Sequence, residues 1–210
     1  MSGSDSDPAA ATTRLAPVRR AEARDVPALE ALIPLSARAL QAATYATAQI
    51  EAALGTVFAV DRQLIADGTY FVAARDGAIV GCGGWSRRRT LFGGEHGVVR
   101  DDSLLDPAQD AARIRAFFVH PAHARQGIGR LLLAACEHAA GSAGFHRLEL
   151  VATLAGEPLY RAFAFHAIER YDLQLPNGVP LPVVRMAKTL AVASAPGSAL
   201  NLRHADPESR

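Results

Sequence analysis

FFVHPAHARQGIGRLLLAACEHA, residues Phe117 to Ala139, is the stretch on which the fold turns. An apolar, strand-like run enters it. A run with an apolar stripe at helical spacing leaves it. Between them lies a short turn holding Gly127 and Gly129. The first amides of a helix have no partner inside that helix, and the aligned peptide dipoles add positive potential there. A side chain at 127 or 129 would stand between those amides and a bulky anion. Glycine removes the obstacle and permits unusual backbone angles. The turn therefore reads as a cradle for a diphosphate-sized anion at the start of a helix over 127–142. A tight connection with no ligand would look much the same. Two common phosphate motifs do not fit. A dinucleotide fingerprint needs a third glycine where Leu132 stands. A P-loop needs Gly-Lys-Ser/Thr, which is missing.

Outward from the turn, Ile114–Val119 reads as a strand near the middle of a sheet. Ile128, Leu131, Leu132, Ala135 and Ala139 form the expected helix stripe. Residues 147–151, RLELV, are the next strand, which makes a βαβ unit with parallel strands. Upstream, TYFVAARDGAIVGCGGW is a hairpin around Asp76-Gly77, a pair suited to a type I′ turn. Gly83-Gly84 suggests a bulge or a close backbone approach. Earlier still, LAPVRRA reads as a strand and Asp25 as the cap of a helix ending at Pro34. Helices are expected over Thr47–Leu54 and about 61–66. Downstream, Glu157–Phe165 reads as a short helix, followed by an antiparallel pair around Pro176-Asn177-Gly178. The sum is an α+β fold: a mixed, mostly antiparallel sheet flanked by helices, with one parallel βαβ crossover.

The chain has 210 residues, net charge +1, half its residues hydrophobic and two cysteines. One domain over 14–190 is expected, between a disordered lead (1–13) and a disordered tail (191–210). The charge gives no bulk basic field for nucleic acid. No apolar run reaches membrane-spanning length, and the N-terminus lacks the pattern of a signal peptide. No membrane partner and a cytoplasmic location are the expectation. Cys82 and Cys136 form no metal-spaced set and read as buried thiols, so no metal is expected.

The combination of IRAFFVHP, ARQGIGRLLL, LELVAT and LYRAFAF, over about 113–166, resembles the GNAT superfamily of acetyl-CoA-dependent N-acetyltransferases. The resemblance implies acetyl-CoA as co-substrate, its diphosphate held by Ala124, Arg125, Gln126, Gly127, Ile128 and Gly129 with Arg130 beside them. It implies that the pantetheine arm pairs with the backbone at Phe118 and Val119, where the two parallel strands separate. It makes Tyr160 the acid that protonates the departing thiolate. The chain departs from the family pattern at Ala124 (usually Arg or Gln), Thr153 (often Asn) and Ala164 (usually Gly).

The carboxylate that family members often carry on the strand before the turn is replaced by Arg113 and Arg115. His120 and Glu149 are the remaining candidates for a general base. Acceptor recognition is expected from LSARALQAATYATAQI, from GWSRRRTLFGG and from the final hairpin loop, with Trp85 and Arg87 as named candidates. The expected function is acetyl transfer from acetyl-CoA to a primary amine, on a small molecule or a peptide. A non-catalytic acyl-CoA sensor is the alternative, and a homodimer is compatible with either.

Overall fold

A computed structural model describes residues 17–90 and 101–190 of the chain. The expected lead and tail lie wholly outside these residues, as do positions 91–94 of the acceptor segment. The strands are β1 (Arg19–Arg20), β2 (Tyr70–Arg75), β3 (Ala78–Ser86), β4 (Ala112–Val119), β5 (Arg147–Thr153), β6 (His166–Gln174) and β7 (Pro180–Thr189). The helices are α1 (Val26–Gln41), α2 (Thr47–Ala53), α3 (Arg62–Ala66), α4 (Ile128–Ser142) and α5 (Glu157–Arg161). One seven-stranded sheet runs in the order β1-β2-β3-β4-β5-β7-β6. Only β4 and β5 pair in parallel; every other neighbour is antiparallel.

Apolar clusters cover both faces of the sheet, a small third one joining Ala73 and Val80 to Ile128 and Leu132 of α4. On one face, Leu29, Ile33 and Ala37 of α1 meet Ile50, Leu64, Val72, Phe118 and Val183. On the other, Leu133, Cys136 and Ala140 of α4 meet Trp85, Ile114, Phe145, Leu150 and Tyr160. The central strands are thus covered twice, which explains their near-continuous apolar runs.

The Asp76-Gly77 turn forms as read: both residues have positive φ, and Arg75 pairs with Ala78 across it. The glycines of β3 are the close approaches expected. A Cβ built on Gly83 would lie 2.6 Å from the Phe117 ring. The pairing of β3 with β4 slips between Cys82 and Gly84, and Ala116 opposite has φ +60°. This is a bulge in β4 that turns Phe117 onto the bare backbone of Gly83.

Several local expectations need correction. α1 does not stop at Pro34 but continues through it to Gln41. The buried series Leu29, Leu32, Ile33, Ser36, Ala37 keeps helical spacing across the proline, so core burial outweighs one missing helical bond. Asp25 makes no side-chain cap on α1, because its carboxylate binds Arg19 and the Glu22 amide instead. The α4 stripe is turned from the one expected: Leu133, Cys136 and Ala140 are buried, whereas Leu131 is 47% exposed. α5 ends at Arg161, and Ala164 beyond it takes φ +63°. Both cysteines are buried and free.

Candidate active site

The turn before α4 opens the helix through a glycine, where the sequence places it. Gly127 is the residue before the helix and has φ +85°, a conformation costly for any residue with a Cβ. The first bond of the helix runs from the Leu131 amide to the Gly127 carbonyl at 3.0 Å. The amides of Ile128, Gly129 and Arg130 therefore have no acceptor within the helix. They border a cavity of about 560 Å³ that Ala124, Arg125 and Leu159 also line. A Cβ on Gly129 would come 3.2 Å from Leu159 Cδ2 and 4.0 Å from Val119 Cγ2, so it would narrow this space.

Gln126 is employed differently. Its side chain accepts a bond from Arg75 at 2.7 Å and donates to the Ala122 carbonyl at 3.2 Å, which braces the turn from outside. Arg130 lies over the Phe163 ring at 5.4 Å, a cation held near the helix mouth.

The trough continues into the sheet. β4 and β5 pair at Ala112–Leu148, Arg113–Glu149 and Ile114–Leu150, and no pair follows. β4 nonetheless runs on to Val119 and β5 to Thr153, so the strands separate there. On its other side β4 stays paired: the His120 amide bonds to the Val80 carbonyl at 2.8 Å, and Val119 is opposite Gly81. Alternation in an antiparallel ladder then points the amide and carbonyl of Val119 away from β3, to the open edge. An inner cavity of about 200 Å³ fills the gap. Leu40, Val119 and Ala155 border both cavities, so one trough connects the α4 amides to the centre of the sheet.

Tyr160 closes the inner end. It is buried, packs edge-on against Phe117 and Phe165 at 6.2 and 5.9 Å, and borders the inner cavity. Burial pushes its phenol above the usual tyrosine value, which keeps the proton on oxygen at neutral pH. Gly83, Phe117 and Tyr160 form one stack, so the bulge in β4 helps to set the phenol's position.

The wall facing Tyr160 comes from the α1 side. Ser36 and Gln41 of α1, Phe58 and β7 residues Leu181 and Val183 contribute to it, as does Arg115. Tyr45 ties these walls together. Its hydroxyl donates to the Pro182 carbonyl at 2.6 Å and accepts from the Leu154 amide at 2.8 Å. Arg115 and Asp61 form a buried ion pair at 2.9 Å, and Asp61 also accepts from the Leu64 amide to cap α3. The sequence named the segments holding Ser36, Gln41 and Tyr45 but not these residues. Ser36 carries the one signal, a polar group on a buried helix face; Tyr45 lies between α1 and α2, outside any helix.

Four named candidates lie elsewhere. His120 accepts the Ala122 amide on Nδ1 at 3.2 Å and caps the 3₁₀ turn Pro121–His123; it borders neither cavity. The Glu149 carboxylate is clamped by Arg113 at 2.5 Å and by Arg185. Burial acts to raise its pKa, yet the two guanidinium groups hold it below the usual carboxylate range, which makes it a weak base. Trp85 is buried edge-on against Phe145 at 5.9 Å, on the α4 face of the sheet. Arg87 borders a groove on that same face beside His138. Both are therefore separated by the sheet from the wall containing Ser36. The neighbouring Arg88 is taken by Asp67, at 2.7 and 2.8 Å.

Among the described residues no cluster of His, Cys, Asp and Glu is placed to hold a metal ion, and no helix is long and apolar enough to cross a membrane.

Comparison with known proteins matches this arrangement. The family model described as "Acetyltransferase (GNAT) family" matches residues 38–165. A GCN5-related N-acetyltransferase from Rhodopseudomonas palustris is 22% identical, with 85% of this chain and 98% of that chain covered and a TM-score of 0.64. PaiA N-acetyltransferase from Thermoplasma acidophilum, solved with coenzyme A, is 13% identical, covering 84% and 99% with a TM-score of 0.57. A ribosomal-protein-alanine N-acetyltransferase from Brucella melitensis is 21% identical, covering 82% and 99% with a TM-score of 0.56. At these identities the structures speak for the fold alone. No curated protein matches the chain significantly.

Proposed function

The chain belongs to the GNAT acetyltransferase family, and from that premise we propose that it moves an acetyl group from acetyl-CoA directly to a primary amine, on a small molecule or a peptide. The observation that carries this reading is the continuous trough from the unpaired α4 amides, past the open edge of β4, to the Tyr160 phenol.

Acetyl-CoA, when bound, supplies an acyl group activated by a thiol leaving group. The amides of Ile128, Gly129 and Arg130 and the dipole of α4 hold its diphosphate. Arg125 and Arg130 add positive charge at the mouth. The backbone of β4 at Val119 takes the arm as a missing strand would be taken, through main-chain hydrogen bonds; the Phe118 amide and carbonyl, one residue back, face β3 instead. The amine attacks the acyl carbon as its neutral form, the carbon–sulfur bond breaks, and Tyr160 gives its proton to the thiolate as general acid. The attacking nitrogen loses its own proton to solvent, and solvent returns one proton to Tyr160, so the cycle closes with no net proton change on the protein. His120 is occupied as a turn cap and Glu149 as an ion-pair partner, so neither is assigned this step. The apolar wall of Phe58, Leu181 and Val183 faces the acceptor.

Thiol release from acetyl-CoA in the presence of a panel of primary amines tests the proposal, together with calorimetric titration of coenzyme A. Amine-dependent release is the expected result. Tight coenzyme A binding with no turnover on any amine would favour a sensor instead. Indifference to coenzyme A would remove both readings.

A further inference from the structure

Ser36 is a polar residue where the α1 stripe should be apolar. It is 3% exposed, on the face of α1 that packs against the sheet. Its Oγ accepts the amide hydrogen of Val119 at 3.2 Å. Val119 is the residue whose amide and carbonyl point to the open edge of β4, where β5 has already departed. In an uninterrupted sheet a strand would take that amide. Among the described residues no strand reaches it, and a buried amide left unpaired costs as much as a lost hydrogen bond.

Resting on the acetyl-CoA reading above, we propose that Ser36 is a stand-in for the cofactor's arm: its hydroxyl holds the Val119 amide until an amide carbonyl of the arm displaces it. The position supports this. Ser36 and Val119 both border the inner cavity, and Val119 also borders the cavity at the α4 turn. The serine thus meets the trough between the phosphate cradle and Tyr160, along the stretch an arm must cross. A helix-borne serine cannot follow the carbonyl into the trough. It must yield the amide hydrogen, so every binding event breaks one protein hydrogen bond to make another. The exchange keeps the edge satisfied in both states and lowers cofactor affinity by about the worth of that bond.

The consequence is opposite to the usual effect of truncating a residue in a binding site. Ser36→Ala leaves the Val119 amide unpaired only in the free protein. The free variant should melt at a lower temperature, and coenzyme A should bind it more tightly, by roughly threefold to tenfold, the range for one neutral hydrogen bond. Ser36→Cys keeps most of the volume but offers a weak acceptor, so it should fall between wild type and Ser36→Ala. Amide exchange gives a second readout. The Val119 amide should be slow in free wild type, fast in free Ser36→Ala, and slow in both once coenzyme A is bound. Unchanged or weaker coenzyme A binding by both variants, with wild type binding normally, overturns the role of Ser36 and leaves the cofactor site standing. Failure of the wild type to bind coenzyme A overturns the cofactor site itself, and the role of Ser36 with it.

Discussion

The two ends of the trough are built from different materials. The outer end is main chain: three amides at the start of α4, reached through Gly127 at φ +85° and left open by Gly129. These amides come from residues adjacent in sequence, although Leu40, Ala155 and Leu159 also wall the cavity they border. The inner end is side chain. Ser36 and Gln41 come from α1, Phe58 from the link before α3, Tyr160 from α5, and Leu181 and Val183 from β7. A backbone device is the same for any ligand with a diphosphate, because amides carry no side-chain identity. A side-chain device is particular to what enters it. On the proposed function, the trough pairs a generic grip with a specific wall, and the two should fail separately when altered.

The largest expected separation is at Tyr160. Tyr160→Phe removes one hydroxyl and keeps the ring that packs on Phe117 and Phe165. The rate of acetyl transfer should fall by about a hundredfold to ten-thousandfold, the contribution typical of a positioned acid. Coenzyme A affinity should stay within a factor of about two, as the cradle is untouched. Single-turnover rates beside calorimetry measure both. Because burial holds the phenol above the ordinary value of 10.0, the wild-type rate should show no loss from tyrosine ionisation as pH rises toward that value. Equal losses in rate and affinity would mean that the two ends are not separable.

The converse change is Gly129→Val. The added carbons enter the outer cavity beside Leu159 and Val119. Coenzyme A affinity should drop by roughly tenfold to a hundredfold, the worth of one charge-assisted hydrogen bond. The melting temperature should move little: valine is the better helix residue, and the 3.2 Å approach of its Cβ to Leu159 Cδ2 offsets that gain. Affinity unchanged by this substitution would show that the diphosphate is held elsewhere.

The same division explains what the sequence could reveal. The strand–turn–helix unit at 114–142, the Asp76-Gly77 hairpin and the parallel strand at 147 are local patterns of period and turn residue. They were legible, and so was the βαβ crossover that follows from their order. The end of α1 was misread because Pro34 is a local stop signal, while the burial of Ser36 and Ala37 that overrides it is a tertiary effect. Trp85 looked like a pocket wall because it neighbours two glycines. Those glycines instead accommodate Phe117, and in Gly84's case Leu64 and Tyr70, while the indole serves the α4 core. Glu149 looked like a base because nothing in a linear reading shows that Arg113 is opposite it in register or that Arg185 reaches it from β7. The outer end is legible since it is contiguous. The inner end waits on register, and register is set across the whole sheet.

Ala164 is the smallest test and the one that crosses the division. It belongs to the inner end, just before the Phe165 that packs on Tyr160, yet it is a local backbone feature of the same kind as Gly127. Its φ of +63° closes the chain after α5, with the Phe165 amide bonded to the Tyr160 carbonyl at 3.0 Å. Glycine is the usual residue for such a stop, because a Cβ there approaches the following carbonyl. The Ala164 side chain is exposed, so its removal forfeits little packing. Ala164→Gly relieves roughly 1–2 kcal/mol of backbone strain and concedes about 0.5–1 kcal/mol in unfolded-chain entropy. The net gain, up to about 1.5 kcal/mol, corresponds to a melting temperature higher by as much as roughly six degrees. The transfer rate should stay as it was, since Tyr160 and its ring partners keep their positions. A lower melting temperature would show that the surrounding packing, and not the chain itself, imposes the left-handed angle; the inner end would then be tertiary even in its backbone.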